Sequence, residues 1–363
     1  VFPMHQLLIL SPSQQVAQHL REQLYRGVWS TFMPGAPQLA EEYGIDRKTV
    51  DAALKLLEDE GLLIPQGPGK RRKIHLQKKS VTPSLRIAIL ACDESDRSQD
   101  YIVEIYHGLQ EQGHHSFYAA RYLDELNMDV KSVSRLVKQT DADAWIVLAG
   151  SREVLQWFSQ QSFPSFALFG RRRGLSLASV GPDKIPPMVE ATRTLARLGH
   201  SRIVLMVRPR RRLPVPGAPE LAFLAELKAQ GISTSDYNLP SWDENIEDFH
   251  HRLESMFRTA PPTAMIIDEV SQFIAALQFL ARHRLRVPQD VSMICTDSSS
   301  CFDWCAQEVA CIRWDIAPVV RRVLRWASIV SHGKKDLRHT LTPSVFVPGA
   351  TIGPARKQLD LAW

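Results

Sequence analysis

Apolar positions along this chain recur with two different periods, and the change falls near residue 84. Upstream of it the period is helical. Leu39 and Ala40 mark the apolar face of a short segment that ends at Gly44. Val50, Leu54 and Leu57 repeat at i, i+4 and i+7 on a longer one, so the two helices share a small core. Asp46 stands where an N-cap belongs and leaves Arg47, Lys48 and Thr49 in an exposed first turn. Gly61 stops the second helix, Leu62 to Ile64 read as a short strand, and PQGPG turns the chain into the basic run GKRRKIHLQKK. Downstream, short and nearly continuous apolar runs alternate with amphipathic segments. The runs are LRIAIL (85–90), SFYAA after a helix through Gln112, DAWIVLAG (143–150), PSFALFG (164–170), IVLMV (203–207), AMIID (264–268) and VSMIC (291–295). Strands that are apolar on both faces need helices on both sides, which predicts parallel sheets in a doubly wound α/β architecture. A stretch of roughly 260 residues built this way predicts two lobes, with ligand bound beyond the carboxyl ends of the strands.

Two helices joined by a tight Gly-containing turn, with basic and hydroxyl side chains leading the second, form a helix-turn-helix that offers Arg47, Lys48 and Thr49 to a DNA major groove. A helical hairpin with a solvated charged face would share the apolar pattern. The strand, glycine turn and basic return strand behind it weigh against that reading, because together they make a wing suited to a phosphate backbone. From about Pro12 to Ile74 the chain resembles the GntR family of winged-helix regulators. The resemblance rests on the leading helix QQVAQHLREQLYRGVW, on MPGAPQLAEEYGIDRKTVDAAL and on LLEDEGLLIPQGPG. It implies that Arg47 and Thr49 contact DNA and that Gly67 and Gly69 form the wing tip. Gln38, Lys48, Lys70, Arg71 and Arg72 complete the candidate DNA-contacting set. Asp51 and Pro37 stand where the family usually has Arg, so its base preferences do not transfer.

Nearly all of Leu85 to Pro354 resembles the ligand-sensing domain of the lactose-repressor (LacI/GalR) family, which has the type I periplasmic-binding-protein fold. ATRTLARLGHSRIVLM, LRVPQDVSMICTDSSS and TPSVFVPGATIGPA carry the resemblance, in order and at the right spacing. It implies two lobes joined by crossovers near Asp183–Pro187, Trp314–Pro318 and Leu341–Ser344. The ligand would lie between them. By the same resemblance Asp297 hydrogen-bonds sugar hydroxyls, Trp242 stacks on sugar rings, Glu269 falls where an Asn reaches into the cleft, and Ile316 is an apolar crossover residue. The family's ligand-clamping Arg falls on Pro219 here. GRRRG (170–174) and RPRRR (208–212) follow strands and are possible substitutes. Arg171 and Arg208 lie nearest the strand ends, and since Arg forks suit carboxylates and phosphates, they raise the expectation of an anionic sugar derivative. The competing reading leaves most of these arginines solvated, or pairs them with acids such as Asp183 or Glu220.

Composition adds less. A net charge of +5 agrees with nucleic-acid binding without requiring it. No apolar run is long enough to span a membrane, and VFPMHQLLILSPSQQ lacks the charged leader and cleavage site of a secretory signal. With few cysteines, this leads to the expectation of a reducing cytoplasm. Cys295, Cys301, Cys305 and Cys311 lack paired CxxC spacing, so zinc is a poor fit. Cys295 and Cys311 lie in strands and read as buried hydrophobes, which leaves a redox or metal role for the cluster as an alternative. No nucleophile, P-loop or GxGxxG occurs in context, so no catalytic residue and no cofactor is expected. The expected arrangement is a winged helix-turn-helix over 1–76, a linker over 77–84, a two-lobed sensor over 85–354 and a tail over 355–363. The leading functional expectation is a homodimeric DNA-binding regulator, of repressor type, that responds to a sugar or sugar derivative and has double-stranded operator DNA as its partner. A solute-binding protein of a transporter is the runner-up.

Overall fold

The computed structural model describes residues 11–25, 27–67, 69–75 and 83–356. The chain divides between Thr82 and Pro83 into two compact units. The expected linker over 77–84 and the tail over 355–363 lie largely outside the described residues.

In the first unit α1 (Pro12–Tyr25), α2 (Ala36–Tyr43) and α3 (Arg47–Asp59) enclose a core of Leu20, Leu24, Met33, Leu39, Val50, Leu54 and Leu57. The leading helix stops at Tyr25, short of the Trp29 expected from sequence. Gly27, in the left-handed region, takes the chain out of it. Gly44 ends α2 at φ 63°, and the Asp46 carboxylate accepts from the Lys48 backbone N–H at 2.9 Å, capping α3 as its position in the sequence predicts. β1 (Leu63–Ile64) and β2 (Lys73–Ile74) pair antiparallel, and Phe32 bridges to Lys73.

The second unit holds two sheets. The first lobe contributes β3 (Arg86–Leu90), α4 (Asp100–Glu111), β4 (His115–Tyr118), α5 (Val130–Gln139), β5 (Ala144–Leu148), α6 (Arg152–Ser159), β6 (Ser165–Leu168) and β7 (Ala178–Pro182). The second lobe begins with α7 (Ile185–Arg197) and β8 (Ile203–Met206) and continues through α8 (Pro209–Arg212), α9 (Ala218–Ala229), α10 (Ile246–Thr259) and β9 (Ala264–Ile267). It then runs through α11 (Val270–Arg282), β10 (Ser292–Cys295) and β11 (Cys311–Trp314). The chain returns to the first lobe for α12 (Ile316–Ser331) and β12 (His339–Thr342), then crosses again to β13 (Ser344–Val347). Strand order is β12-β7-β6-β5-β3-β4, wholly parallel, in the first lobe. In the second lobe it is β13-β11-β10-β9-β8, with only β13 antiparallel.

Side-chain alternation sorts each continuous apolar run onto two buried faces. Ile87 and Ile89 pack with Ile105 and Trp326 on one side of the first sheet, while Ala88 and Leu90 pack with Leu136 and Phe158 on the other. Val204 and Met206 share a core with Phe257 and Phe273; Ile203 and Leu205 share one with Leu195 and Phe223. The crossovers fall at 182–185, 314–316 and 342–344, at the sites expected from the sequence. Two strands escaped the sequence pattern. β7 ends in Gly181–Pro182, which reads as a turn, and β12 (HTLT) is an edge strand with a largely polar surface.

The motifs that carried the sequence resemblance turn out to be anchors of the second lobe. Buried His200 meets the Thr263 hydroxyl at 3.0 Å through Nδ1 and the Gly353 carbonyl at 2.9 Å through Nε2. A carbonyl only accepts, so Nε2 carries the proton, and burial holds the imidazole neutral. In RVPQD the buried Asp290 carboxylate accepts from the Arg286 backbone N–H and Nε, both at 2.9 Å, and pairs with Arg356. Arg286 and the other donors hold this carboxyl down at about 2. A depressed carboxyl stabilises the fold above its unfolded value near 4 and loses that effect as pH falls toward 2. Asp290→Asn should therefore lower the unfolding free energy at pH 7 by about 1 kcal/mol, since Arg286 is exposed. Urea titrations should show the gap between variant and wild type closing between about pH 4 and pH 2.

Candidate functional site

Two regions concentrate unneutralised or functional polar groups, one in each unit. In the first, the cap at Asp46 fixes the start of α3, so Arg47 and Lys48 stand exposed beside half-buried Thr49. Arg47 reaches Asp51 one turn on, at 3.7 Å; between exposed groups this pair is weak, and it leaves the guanidinium available. Gln38 is exposed on α2. Gly67 and Gly69 adopt φ of 105° and 75°, which only glycine takes without strain, and they carry the turn from β1 toward β2. Lys70 and Arg71 are exposed and have no ion-pair partner among the described residues. Arg72 differs: it is half-buried and its guanidinium pairs with Glu58 at the end of α3. This ties the return strand to the helix. Arg72 thus acts as a brace here, unlike the exposed Lys70 and Arg71.

In the second unit, the loops after the strands of both sheets meet, and charged side chains cross between the lobes. Arg210 of α8 lies 3.1 Å from Asp124 of the first lobe and 3.2 Å from Glu244 of the second, and donates to the Cys92 Sγ. Arg171, after β6, donates the other way, through Nε to the Arg210 carbonyl at 2.9 Å and through Nη2 to the Arg211 carbonyl. Arg208 pairs with Glu269 and stands 3.6 Å from Asp268. Arg211 pairs with Asp268 and, at 2.9 Å, with Glu220. Asp297, at the end of β10, accepts from Lys184 Nζ at 2.6 Å and from the Trp314 indole at 3.3 Å, both of them crossover residues. Burial and the neighbouring Asp268, Asp297 and Glu244 carboxylates push Glu269 up to about 8, against the pull of Arg210. Burial, with Asp93, pushes Asp96 up to about 6.

An aromatic cluster lines the same place. Tyr101 at the start of α4, Phe169 after β6 and Trp314 at a crossover are mutually 5.2–5.8 Å apart between centroids, each only partly buried. Phe169 sits at φ 63°, a left-handed conformation that costs a non-glycine residue about 1–2 kcal/mol. Strain of this kind collects at sites where a side chain must be aimed. Burial and nearby Asp96 and Asp297 raise the Tyr101 phenol. Such faces suit the C–H surface of a ring-shaped polyol, while the arginines and carboxylates suit its hydroxyls.

Family comparison agrees with this division of labour. The family model for bacterial regulatory proteins of the gntR family matches residues 12–68, and a periplasmic binding protein-like domain matches 192–352. The chain joins a gntR-family regulatory domain to a periplasmic-binding-protein-like domain. No curated protein matches the sequence. Solved structures share the fold of the second domain. The lac repressor dimer bound to operator and the anti-inducer ONPF has TM-score 0.60 and 15% identity over 74% of this chain and 94% of that one. A LacI family transcriptional regulator from Enterococcus faecium with bound ribose has TM-score 0.58 and 15% identity, over 75% of this chain and 100% of its own. The transcriptional regulator CelR in complex with cellobiose has TM-score 0.62 and 16% identity, over 88% and 100%.

Within the periplasmic-binding-protein-like domain the expected ligand residues separate. Asp297, Glu269 and Arg208 gather at the strand ends, and Ile316, half-buried, opens α12 at a crossover. Arg171 is there too, but it and Arg208 are already engaged by backbone carbonyls and carboxylates, so neither is a free fork for an anion. The pairing of a cluster arginine with Glu220 is met by Arg211. Trp242 is corrected: it is 5% exposed in the second lobe's core, and its indole donates to the Val207 carbonyl at 2.8 Å. The ring faces Phe249 rather than a ligand. The partly buried aromatics at the strand ends are instead Tyr101, Phe169 and Trp314, of which only Phe169, directly after an apolar strand, gave a local signal in the sequence. Cys295 and Cys311 are register partners in adjacent strands inside the apolar core, where burial pushes both thiols up. Cys301 and Cys305 are exposed, so the four do not converge. Cys92, Asp93 and Asp96 have ligand atoms within 4.8 Å of one another. However, burial keeps that thiol protonated and Asp96 already accepts from two backbone N–H groups.

Two substitutions test these placements. Arg72→Ala should destabilise the gntR-type domain by about 1 kcal/mol in a urea titration, while Arg71→Ala stays within about 0.5. Trp242→Phe should lower stability of the second domain by about 1 kcal/mol through the lost indole hydrogen bond and leave ligand affinity intact. Lost affinity at unchanged stability would return this ring to the cleft.

Proposed function

We propose that this chain is a transcription regulator, of repressor type, whose gntR-type domain binds operator DNA under the control of a sugar-class molecule held between the lobes of its sensor. The observation that carries this reading is the α3 first turn: capped by Asp46, with Arg47 and Lys48 exposed, and followed by a glycine-tipped wing that exposes Lys70 and Arg71. A helix start with Arg47, Lys48 and Thr49 presents hydrogen-bond donors to base edges, and the wing cations add sequence-independent phosphate contacts. Support for the effector class comes from Tyr101, Phe169 and Trp314 beside a mixed set of carboxylates and guanidinium groups. Fold relatives crystallised with ribose and with cellobiose point the same way. A homodimer acting on a two-fold operator in the cytoplasm completes the proposal; a lac repressor dimer bound to operator has the sensor's fold. No helix among the described residues is long and apolar enough to cross a membrane.

The test is a gel shift of the full chain on its own promoter DNA across a salt series. Arg71→Ala should weaken binding uniformly across sequences and reduce the salt slope by about 1. A sugar that alters DNA affinity should have its own affinity altered by the same factor, a coupling of about 1–3 kcal/mol. Absence of any retarded complex at low salt would end the proposal.

A further inference from the structure

The charges of the interlobe cleft do not suit an acid. Its ion-paired set brings Asp124, Glu220, Glu244, Asp268, Glu269 and Asp297 to Arg208, Arg210, Arg211 and Lys184, six carboxylates to four cations. Arg171 and Arg172 add two cations, but the donors of both go to backbone carbonyls. Asp93 and Asp96 lie on the other side of Cys92, the thiol that Arg210 touches. Burial first, and neighbouring carboxylates after it, hold the carboxyls of Glu269, Glu244 and Asp96 above their ordinary values.

Four buried atoms of this set lack hydrogen-bond partners: Asp268 Oδ2, Glu220 Oε1 and the Nε groups of Arg208 and Arg210. Asp268 is 1% exposed in its side chain; its Oδ2 and the Arg208 Nε face each other at 3.6 Å, beyond hydrogen-bond reach, and Arg211 lies 2.9 Å from Glu220 Oε1. An orphaned acceptor beside orphaned donors is what a hydroxyl, which gives and takes, satisfies. Arg210 itself is a cation seated between Asp124 of one lobe and Glu244 of the other, on a helix of only four residues. It holds the position that a ligand's positive group would take.

Building on the sugar-class reading above, we infer that the effector is a polyhydroxylated amine of the amino-sugar class. Its ammonium replaces Arg210 between Asp124 and Glu244 while its hydroxyls meet Asp268 and Arg208. The ammonium keeps Asp124 and Glu244 matched as the Arg210 side chain is displaced, while Arg208 and Arg211 still hold α8 on Asp268.

The experiment is calorimetric titration of the full chain with a panel of hexosamines and amino disaccharides. Their N-acetyl forms, the parent neutral sugars, and the corresponding uronic acids and sugar phosphates complete the panel. Amines should bind at least tenfold tighter than their N-acetyl forms. Asp124→Asn should abolish that preference, bringing amines and their N-acetyl forms to within about twofold of each other. Arg210→Ala should raise amine affinity about tenfold, and Asp124→Asn carries the test alone if that variant does not fold. Tighter binding of neutral sugars or acids, or amine affinity indifferent to both substitutions, overturns the inference and leaves the sugar-responsive regulator standing. Silence of every sugar, beside intact DNA binding, overturns both the inference and the sugar reading of the cleft.

Discussion

A carboxylate removed wholly from water must be matched by cations and hydrogen bonds, and the sensor's geometry follows from one such group. Asp268, at the end of β9, is fully buried; it pairs with Arg211, faces Arg208 and accepts from the Thr296 hydroxyl at 3.2 Å. Removing one member of a buried pair typically costs about 3–5 kcal/mol, because the other charge is left in low dielectric. Both arginines flank or belong to α8, so Asp268 fixes that short helix. The fixed helix in turn presents Arg210 to the first lobe and offers its carbonyls to Arg171. The contacts that Arg210 and Arg171 make between the lobes are downstream of an acid that touches neither the first lobe nor solvent.

Asp297 ties two of the crossovers together. It is held by Lys184, in one crossover, and by Trp314, at the edge of another. In the proposed regulator, a ligand hydroxyl that competed for this carboxylate would act on both segments. It would shift a balance of lobe arrangements only by as much as its free energy differed between them. The aromatic ring of Trp314 belongs to the same cluster as Tyr101 and Phe169, so stacking and hydrogen bonding load the same joint.

Local physics was legible in the sequence, and long-range pairing was not. The Asp46 cap, the Gly44 stop, the glycine-tipped wing and the two-faced apolar strands follow from neighbours within one helical turn or one strand. The sequence also placed Arg171, Arg208, Glu269 and Asp297 at strand ends, where they are found. It could not say which acids would meet which arginines, because Asp124, Glu244 and Asp268 arrive from separate loops up to 86 residues away. Trp242 shows the same limit from the other side. An aromatic in a loop reads as exposed, yet the core of the second lobe has room for it and the Val207 carbonyl satisfies its indole. Arg72 was read as one of a basic run, and Glu58, fourteen residues earlier, draws it out of that run.

The three crossovers lie side by side. β7 pairs with β12 up to Pro182 opposite Thr342, and β11 pairs with β13 down to Trp314 opposite Ser344. Between them the Asp183 N–H donates to the Thr342 carbonyl at 2.8 Å and the Ser344 hydroxyl donates to the Asp183 carbonyl. Hydrogen bonds thus run from β12 through Asp183 to β13, and β13 in turn pairs with the end of β11, so the three crossovers are tied to one another. Whatever molecule enters, with whatever pattern of charge and hydroxyl, its chemistry is compressed into a single mechanical quantity, the angle between two plates.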